Sequence, residues 1–473
     1  MLYAEAGGPM RLCLFSLVAL LACGTAAKPR DTADATDQPL SEAALELVSA
    51  TRMRMLVDEL ADDTMGGRVP GSPGHEAALN ILLDEMADIG LEPVGLEGEY
   101  LYPYPATDVS NFNQIDRDGN ITAAQAEVAY DLVGRIPGSD PALADEHILV
   151  MAHHDHLGVE VDGRVFNGAF DNATGCVAAL ELARVLMAHP PARSVLILLT
   201  DEEESGLDGA RVWLDDPTIP RAQIRYGLSV DPIGRPSLPD YWPLILIGTE
   251  HSPELDASWR AAARYSDVPV HFLNRSLVPV FASDQDELYK LDPPIPGFWF
   301  VNPGFSFYHT TEDTAETIDY RVMKADVRFL ANAITETARA QEDWTFVNET
   351  EPDTRSAVDV RDLLSGLLTS GVLRSSEREY LDGVIADLDD AIEAEDLSRL
   401  GDLQAFTFGV AWFVMFELGS AHPGPVPPPF PEEEPTPNSV EATRGHREPV
   451  LRISWPLDVL PDSHSPQIRA SSR

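Results

Sequence analysis

The sequence predicts an α/β fold with a mostly parallel central sheet flanked by helices. Three short apolar runs, 148–152, 194–200 and 225–230, each lead directly into polar or acidic residues and predict buried strands. Between the first two runs, residues 176–188 carry apolar side chains at helical spacing. Strands that alternate with helices indicate parallel pairing, and open sheets of this kind bind ligands at the carboxyl ends of their strands.

The first strand leads into a group of three histidines and one aspartate at residues 153–156. His153 and Asp155 stand two residues apart, so they share one face of an extended strand and Asp155 can orient the His153 imidazole. His154 points to the opposite face if the strand continues, and His156 lies where the chain should turn. Each of these two histidines is either a pocket wall or a satisfied polar residue.

Asp171 lies just before the predicted helix. An aspartate or asparagine in this place is a natural helix N-cap, and for the segment in isolation that is the simplest interpretation. The alternative is a metal ligand. Both roles are compatible if Asn172 caps the helix while Asp171 faces a metal.

The second strand leads into four consecutive carboxylates at residues 201–204. A solvated acidic turn is one interpretation in so acidic a protein. The other is catalytic, because a two-metal hydrolase needs one carboxylate as a ligand and a second, unligated one to take a proton from water. Glu203 and Glu204 meet that need if the chain turns between them.

The third strand ends at Asp231, and a later loop places His309 beside Tyr308 before a helix predicted to begin near Asp313. The Tyr308 hydroxyl can help to hold a developing oxyanion.

The candidate ligands thus follow one another in the order His, Asp, Glu, Asp, His, at His153, Asp171, Glu204, Asp231 and His309. Two divalent cations about 3.5–4 Å apart require one shared carboxylate, plus one carboxylate and one imidazole for each ion. The sequence therefore predicts a two-zinc hydrolase site, with Asp171 as the candidate bridge.

Four motifs follow one another along the chain: His-x-Asp at 153–155, Asn-Gly-Ala-x-Asp-Asn-x-x-Gly at 167–175, Glu-Glu-x-Gly-Leu-x-Gly at 203–209 and Tyr-His-Thr-x-x-Asp-Thr at 308–314. Together they resemble the M28 family of zinc peptidases, in its aminopeptidase type. Upstream, Gly-Gly-Arg-Val-Pro-Gly-Ser-Pro-Gly at 66–74 is similar to the family's entry segment. The likeness covers roughly residues 41–342 and implies a three-layer sandwich with the metals at the carboxyl ends of the strands.

The resemblance also implies how the ligands divide between two Zn²⁺ ions. His153 and Asp231 would bind one ion, and Asp171 would bind both. Glu204 and His309 would bind the other.

Further roles are carried over in the same way. The resemblance implies that Glu203 is the general base. It also implies that Asp155 contacts His153, the first histidine ligand, without binding a metal itself. Ser283 and Asp284 resemble an element that the family places near its substrate pocket. Gln285 departs from the pattern, since many relatives have a histidine there, and this departure bears on substrate preference more than on the metal core.

The implied activity is that of an aminopeptidase, which hydrolyses the N-terminal residues of peptides. The same scaffold supports carboxypeptidases and glutaminyl cyclases, and these activities are the alternatives. A zinc-binding lipoprotein that has lost catalysis is the alternative from a different class of protein.

Composition agrees with a secreted hydrolase that has a large core. Of the 473 residues, 44% are hydrophobic. The chain has 33 Lys and Arg residues and 78 Asp and Glu residues, which gives a formal net charge of −45. Because phosphate binding needs basic patches, nucleic acid is not an expected partner. The acidity instead favours solubility of an extracytoplasmic protein.

The N-terminus predicts export. Arg11 precedes the apolar residues 12–22, a stretch too short to span a bilayer, so residues 1–23 are predicted to be a signal peptide, with Met10 as an alternative start. Leu-Leu-Ala-Cys at 20–23 resembles a bacterial lipobox, which predicts that a lipidated Cys23 attaches the enzyme to the cell envelope. Ordinary cleavage and release as a secreted or periplasmic protein is the alternative.

Three further segments complete the predicted organisation. Residues 24–40 are a polar linker, and residues 41–342 are the peptidase domain. Residues 343–420 have helical periodicity and predict a helical appendage, and the proline-rich residues 421–473 predict a disordered tail.

Overall fold

The computed structural model describes residues 40–236, 238, 241–277, 283–340, 343–348, 353–369, 373–396, 399, 402, 403 and 409. The predicted signal peptide with Cys23, nearly all of the 24–40 linker and the predicted 421–473 tail lie outside the described residues. Within the described part of the chain, no helix is long and apolar enough to cross a membrane.

A sheet of nine strands forms the centre of the fold, and a separate two-stranded hairpin accompanies it. The strands are β1 Glu92–Pro93, β2 Leu101–Pro105, β3 Asn113–Ile115, β4 Ile121–Ala123, β5 Val128–Ile136, β6 His147–His153, β7 Ser194–Thr200, β8 Ile224–Val230, β9 Leu244–Ile247, β10 Val270–Leu273 and β11 Gly297–Val301. The hairpin consists of β3 and β4.

Strand order in the large sheet is β1-β5-β7-β6-β8-β11-β9-β10, with β2 also paired to β5. The four central strands β7, β6, β8 and β11 are parallel to their neighbours in that set, as are β9 and β10. Antiparallel pairs join β5 to β7 and β9 to β11. The predicted α/β fold is confirmed, and the parallel pairing that the motifs indicated holds at the centre of the sheet.

Helices cover both faces of the sheet. They are α1 Glu42–Leu45, α2 Ala50–Leu60, α3 Pro73–Ile89, α4 Thr174–Ala188, α5 Asp208–Asp215, α6 Pro253–Ala263, α7 Asp286–Tyr289, α8 Tyr320–Thr337, α9 Thr354–Thr369 and α10 Ser375–Glu393. Helices α2, α3, α4, α6, α8 and α9 contribute to one hydrophobic core, and α5 and α7 contribute to another.

Alternation along β6 explains why two cores exist. Ile148 and Val150 belong to the first core, and Leu149 and Met151 belong to the second. Since successive side chains of a strand point to opposite faces, a strand that is apolar throughout must be covered on both sides. The result is a three-layer arrangement with the sheet in the middle.

Local sequence sets the helix ends that matter for the site. Ser72 caps α3, because its side chain accepts the backbone N–H of His75, and Pro73 occupies the first helical position. At the other end Gly90 adopts a left-handed conformation with φ of 82°. These signals hold the first turn of α3 beside the carboxyl edge of the sheet.

The helix expected near Asp313 begins later, at Tyr320. The Asp313 carboxylate does not cap its own segment but accepts the backbone N–H groups of Phe170 and Asp171. Asp319 caps α8 instead, through the N–H of Arg321. A short 3₁₀ helix, Ala315–Thr317, begins near the predicted place, but the α-helix starts about two turns after Asp313.

Two helices lie in the region predicted as an appendage, α9 and α10. Side chains of α9, among them Val360 and Leu364, are buried in the same core as the central strands. Arg260 of α6 forms an ion pair with Asp359 at 2.5 Å. The domain boundary after residue 342 stays a prediction, but α9 shares the core of the preceding segment.

Candidate metal centre

Three neighbouring parallel strands bring the predicted site together at their carboxyl ends. His153 is the last residue of β6, β7 leads into the acidic turn at 201–204, and Asp231 follows β8. Two loops complete the set, with Asp171 before α4 and His309 between β11 and α8. Parallel pairing of β7, β6 and β8 is the reason that residues far apart in sequence meet here.

Asp171 lies between two histidines. Its Oδ1 is 3.1 Å from His153 Nε2, and its Oδ2 is 3.1 Å from His309 Nε2. Asn172 supports this position from the other side, because its side-chain oxygen accepts the N–H of Gly175 in the first turn of α4. The two oxygens of one carboxylate thus face two different imidazoles.

On the first side of Asp171, His153 meets two further carboxylates. Its Nε2 lies 3.3 Å from Asp231 Oδ1 and 4.0 Å from Glu203 Oε2. Its Nδ1 lies 3.3 Å from both the side-chain Oδ1 and the backbone O of Asp155. Nδ1 therefore faces Asp155, and Nε2 faces the carboxylate cluster.

On the second side of Asp171, Glu204 meets two histidines. Its Oε2 lies 3.0 Å from His309 Nε2, and its Oε1 lies 2.8 Å from His156 Nδ1. His156, which the sequence placed at a turn as a pocket wall or satisfied polar residue, belongs to the cluster. Ligand atoms of His156, Asp171 and Glu204 all lie within 4.8 Å of one another, as do those of His153, Glu203 and Asp231.

Asp155 also holds the acidic turn. Its Oδ1 accepts the backbone N–H of Glu203 at 3.2 Å, and its Oδ2 accepts that of Glu204 at 3.3 Å. Since Asp155 also lies against His153, one buried carboxylate fixes the backbone that carries both glutamates and the ring of the histidine.

Ser283 and Asp284, predicted to lie near the substrate pocket, are buried behind the cluster. Ser283 Oγ donates to Asp231 Oδ2 at 2.5 Å, and Asp284 Oδ2 accepts from Thr200 Oγ1 at 2.6 Å. Their role in substrate binding stays a prediction, and their contacts support the carboxylate of Asp231 and the end of β7.

A buried ion pair between Arg235 and Asp313 was not anticipated from the sequence. The two side chains are 2.5 Å apart, and the Arg235 guanidinium stacks over the Phe170 ring at 4.3 Å. Asp313 in turn accepts the N–H of Asp171 at 3.1 Å. The pair thus anchors the loop that presents Asp171.

Arg68, from the entry segment of the sequence, is buried. Its guanidinium donates to the carbonyl oxygens of Leu60, His154, Asn167 and Gly168. These bonds join the turn after β6 to the loop before Asp171. In the sequence, this arginine stands out only because it follows Gly66 and Gly67, and that pattern does not indicate which carbonyl groups it binds.

The cluster carries a strong excess of negative charge. Burial raises the pKa of Glu203 well above its ordinary value, and the carboxylates of Asp231 and Glu204 add to this effect. Burial would lower the pKa of His309, but Asp171 and Glu204 raise it to about 10. A cation between these carboxylates would offset the repulsion that Asp231 and Glu204 exert on Glu203.

Atoms without partners identify where a cation would fit. Asp171 Oδ2, His309 Nε2 and His156 Nε2 are buried, and none has a hydrogen-bond partner within the described structure. Asp171 Oδ2 and His309 Nε2 lie 3.1 Å apart, yet they are not hydrogen-bonded. Carboxylate oxygens and imidazole nitrogens placed in this way fit a divalent metal such as zinc.

An α/β sheet with carboxylates and imidazoles clustered at its carboxyl ends defines a candidate metallohydrolase. Residues 131–334 match the family model described as peptidase family M28. This segment includes every residue of the cluster, so the match to peptidase family M28 covers the whole candidate site. None of the curated proteins matches the chain.

Solved structures similar to this chain include a leucine aminopeptidase precursor from Bacteroides thetaiotaomicron, at 19% identity over 61% of this chain and 97% of that one, with a TM-score of 0.45. A glutaminyl cyclase from the same organism is 18% identical over 61% and 98% of the two chains, with a TM-score of 0.44. A zinc-dependent exopeptidase from Parabacteroides distasonis is 19% identical over 61% and 98%, with a TM-score of 0.44.

Proposed function

We propose that the protein is a dinuclear zinc aminopeptidase that releases N-terminal residues from peptides. The observation that carries this proposal is the position of Asp171, whose two carboxylate oxygens face His153 and His309 separately. His153 and Asp231 would hold one ion and Glu204 and His309 the other, with Asp171 shared. The match of residues 131–334 to peptidase family M28 supports the peptidase class.

Zinc ions held by this set would lower the pKa of a bound water and polarise the scissile carbonyl. Glu203 is the residue placed to take a proton from the attacking water. Its Oε2 lies 4.0 Å from His153 Nε2, at the edge of the cluster, and a carboxylate in this position can accept a proton from water and return it. Glu203 then gives the proton to the leaving amine.

Two neighbouring side chains, Asp155 and Tyr308, support this proposed mechanism. Asp155 fixes the backbone of Glu203 by accepting its N–H, so that the base has a defined position. Tyr308 stacks on the His309 ring, with 3.8 Å between centroids, and burial raises the pKa of its phenol, which keeps the hydroxyl protonated as a donor. In this position the phenol can donate to the oxyanion that develops on the substrate.

The charge of the site favours a substrate with a free ammonium group. Three histidines of the cluster face five carboxylates, which are Asp155, Asp171, Glu203, Glu204 and Asp231. Two arginines, Arg68 and Arg235, interact electrostatically with Asp171. Both are buried, with exposed fractions of 1% and 3%, so neither is accessible to a substrate. Two Zn²⁺ ions would neutralise four of these five negative charges, so the loaded site would keep a small negative excess that favours a cationic N-terminus over an anionic C-terminus.

One observation favours the carboxypeptidase alternative. Arg164 is exposed, and its Nη1 donates to Thr311 Oγ1 at 3.0 Å, two residues beyond His309. A peptide carboxylate that reached Arg164 would compete with Asp162, whose carboxylate pairs with this guanidinium at 3.0 Å. The requirement for a free N-terminus and the requirement for a free C-terminus therefore have to be tested separately.

The test uses one peptide sequence in three forms: unmodified, N-acetylated and C-amidated. Purified protein is stripped of metal and then restored with zinc, and the products are identified by mass spectrometry. An aminopeptidase releases the first residue from the unmodified and amidated peptides and leaves the acetylated one intact. Release of the last residue from the acetylated peptide would establish the carboxypeptidase, and cyclisation of a peptide that begins with glutamine would establish the cyclase.

We further propose that the enzyme works outside the cytoplasm, attached to the cell envelope through lipidated Cys23. This proposal rests on the sequence of residues 11–23. Expression of the full chain and its Cys23→Ser variant in a bacterial host tests it, with membrane fractionation and mass spectrometry of the mature N-terminus. Equal release of both forms into the soluble fraction would exclude the lipid anchor.

A further inference from the structure

A second group of metal-binding side chains lies beside the centre described above. His75, His154 and Asp201 are all buried, at 2%, 1% and 0% exposure, and one ligand atom from each lies within 4.8 Å of the others. We call this group the rear cluster. None of its three residues is among the predicted ligands of the two zinc ions.

The rear cluster joins three elements of the fold. His75 lies in the first turn of α3, His154 directly follows β6, and Asp201 directly follows β7. The rings of His75 and His154 face each other, with 5.2 Å between centroids. The chain thus brings two imidazoles and one carboxylate together from sites far apart in sequence.

His154 presents a bare nitrogen to this group. Its Nε2 lies 2.9 Å from the carbonyl oxygen of Tyr130, and a carbonyl can only accept, so Nε2 carries the proton. Nδ1 is then an unprotonated lone pair, and it is buried with no hydrogen-bond partner within the described structure. Histidines that bind metals commonly donate their other ring N–H to a carbonyl in this way.

His75 has the same geometry as a histidine of the two-metal centre. Its Nε2 lies 3.1 Å from Asp201 Oδ1 but has no hydrogen-bond partner, as His309 Nε2 lies 3.1 Å from Asp171 Oδ2 without a hydrogen bond. Two ligands of a tetrahedral zinc, with bonds of about 2.0–2.1 Å, lie about 3.3 Å apart. Both contacts have the spacing of two ligands that share one ion.

Asp201 is already oriented by the backbone. Its Oδ2 accepts the N–H of Tyr130 at 3.0 Å, and its Oδ1 accepts the N–H of Glu202 at 3.1 Å. Each oxygen keeps a second lone pair for another partner. The carboxylate is therefore held in place before any ion binds.

We infer that the rear cluster binds a third divalent metal ion, for which its donor set of two imidazoles and one carboxylate selects zinc or a similar transition metal. The ion would link α3 to the ends of β6 and β7. These strand ends carry His153 and the pair Glu203 and Glu204, so the ion would be structural and would hold the two-metal centre from behind. It does not depend on the proposed peptidase activity.

The rival explanation is a protonated His75 in an ordinary ion pair with Asp201. The first experiment needs no variant. Crystals of the full chain grown with zinc are measured on both sides of the zinc absorption edge, and an anomalous peak between His75, His154 and Asp201 is expected. Peaks in the two-metal centre with none in the rear cluster would overturn the inference.

Metal content gives an independent measurement in solution. The zinc-loaded and desalted protein should contain three zinc ions per chain, and His75→Asn should contain two. His147→Asn is the matched control, since His147 is also buried but lies at the opposite end of β6. Asp231→Asn should lose zinc from the two-metal centre and keep the rear ion. Equal zinc content in the His75 variant and the wild type would contradict the inference.

Discussion

The carboxylate of Asp155 accepts the backbone N–H of Glu203, with 3.2 Å between Oδ1 and N. The same oxygen lies 3.3 Å from His153 Nδ1. The position of the Glu203 backbone is therefore set by Asp155 and does not depend on the Glu203 side chain. This separation allows the proton-accepting role of that side chain to be tested without moving the turn.

Glu203→Gln should retain zinc and lose turnover. The amide is close in shape to the carboxylate but cannot take a proton from water, so we expect kcat to fall by about 10²–10⁴-fold. Zinc content and kcat are measured on the same samples. Glu202→Gln is the control, because the Glu202 carboxylate is bonded to Thr107 and not to the cluster. Unchanged turnover in the Glu203 variant would remove this residue from the mechanism.

His156→Gln should weaken zinc binding. His156 Nδ1 donates to Glu204 Oε1 at 2.8 Å, which leaves Oε2 facing His309. Loss of a partner that orients a ligand costs about 10–100-fold in metal affinity. Competition with a chelator of known affinity gives the dissociation constant, and an unchanged value would show that Glu204 holds its position without His156.

Asp313→Asn should destabilise the fold. It leaves the buried Arg235 guanidinium without its counter-charge, which costs roughly 3–5 kcal/mol of unfolding free energy. Asp267→Asn is the control, because it breaks an exposed pair with Arg328 and should change stability by less than about 1 kcal/mol. Urea unfolding of both variants measures the difference, and equal losses would mean that burial of the first pair has no special effect.

The sequence predicted those parts of the site that lie in single short segments. His153, Asp231 and the acidic turn each follow an apolar run, and a run that ends in a polar residue places that residue at the edge of a sheet. The parallel centre of the sheet then follows from the helix between the first two strands. Their roles as ligands and base remain predictions.

Features that depend on distant contacts could not be read in this way. Arg235 and Asp313 are 78 residues apart in sequence, and nothing local to either residue indicates the other. The orientation of His156 depends on Glu204, which arrives from another strand. Antiparallel pairing of β5 with β7 was missed for the same reason, since a strand's direction depends on the path of its connection and not on its own residues.

Gly366→Ala should reveal how firmly α9 belongs to the core. A Cβ at this position would come within 2.0 Å of Tyr241 Cζ, so the ring must move, and overpacking costs about 1–3 kcal/mol. This exceeds the gain of up to about 1 kcal/mol from alanine in a helix. Gly383→Ala in α10 meets no atom within 4 Å and should be stabilising. Thermal unfolding should therefore move in opposite directions for the two variants, and a shift in the same direction would contradict the packing of α9.

His271→Gln should reduce the loss of stability in mild acid. His271 Nε2 lies 3.0 Å from the Tyr241 hydroxyl, and burial lowers the pKa of the imidazole to about 4, against a smaller opposing effect of Asp362. The unfolded chain binds this proton near pH 6.5, so between about pH 6.5 and pH 4 it holds more protons than the folded protein.

The stability that neutral His271 contributes is thus complete above pH 6.5 and falls as the pH decreases towards 4, by up to roughly 3 kcal/mol. Glutamine keeps a polar group near the Tyr241 hydroxyl but does not titrate, so the unfolding free energy of the variant should fall less steeply over this interval. Urea unfolding at several pH values measures the slope, with exposed His189→Gln as the control for removal of one histidine. Parallel pH profiles for the His271 variant and the wild type would show that His271 gains its proton equally well in the folded state.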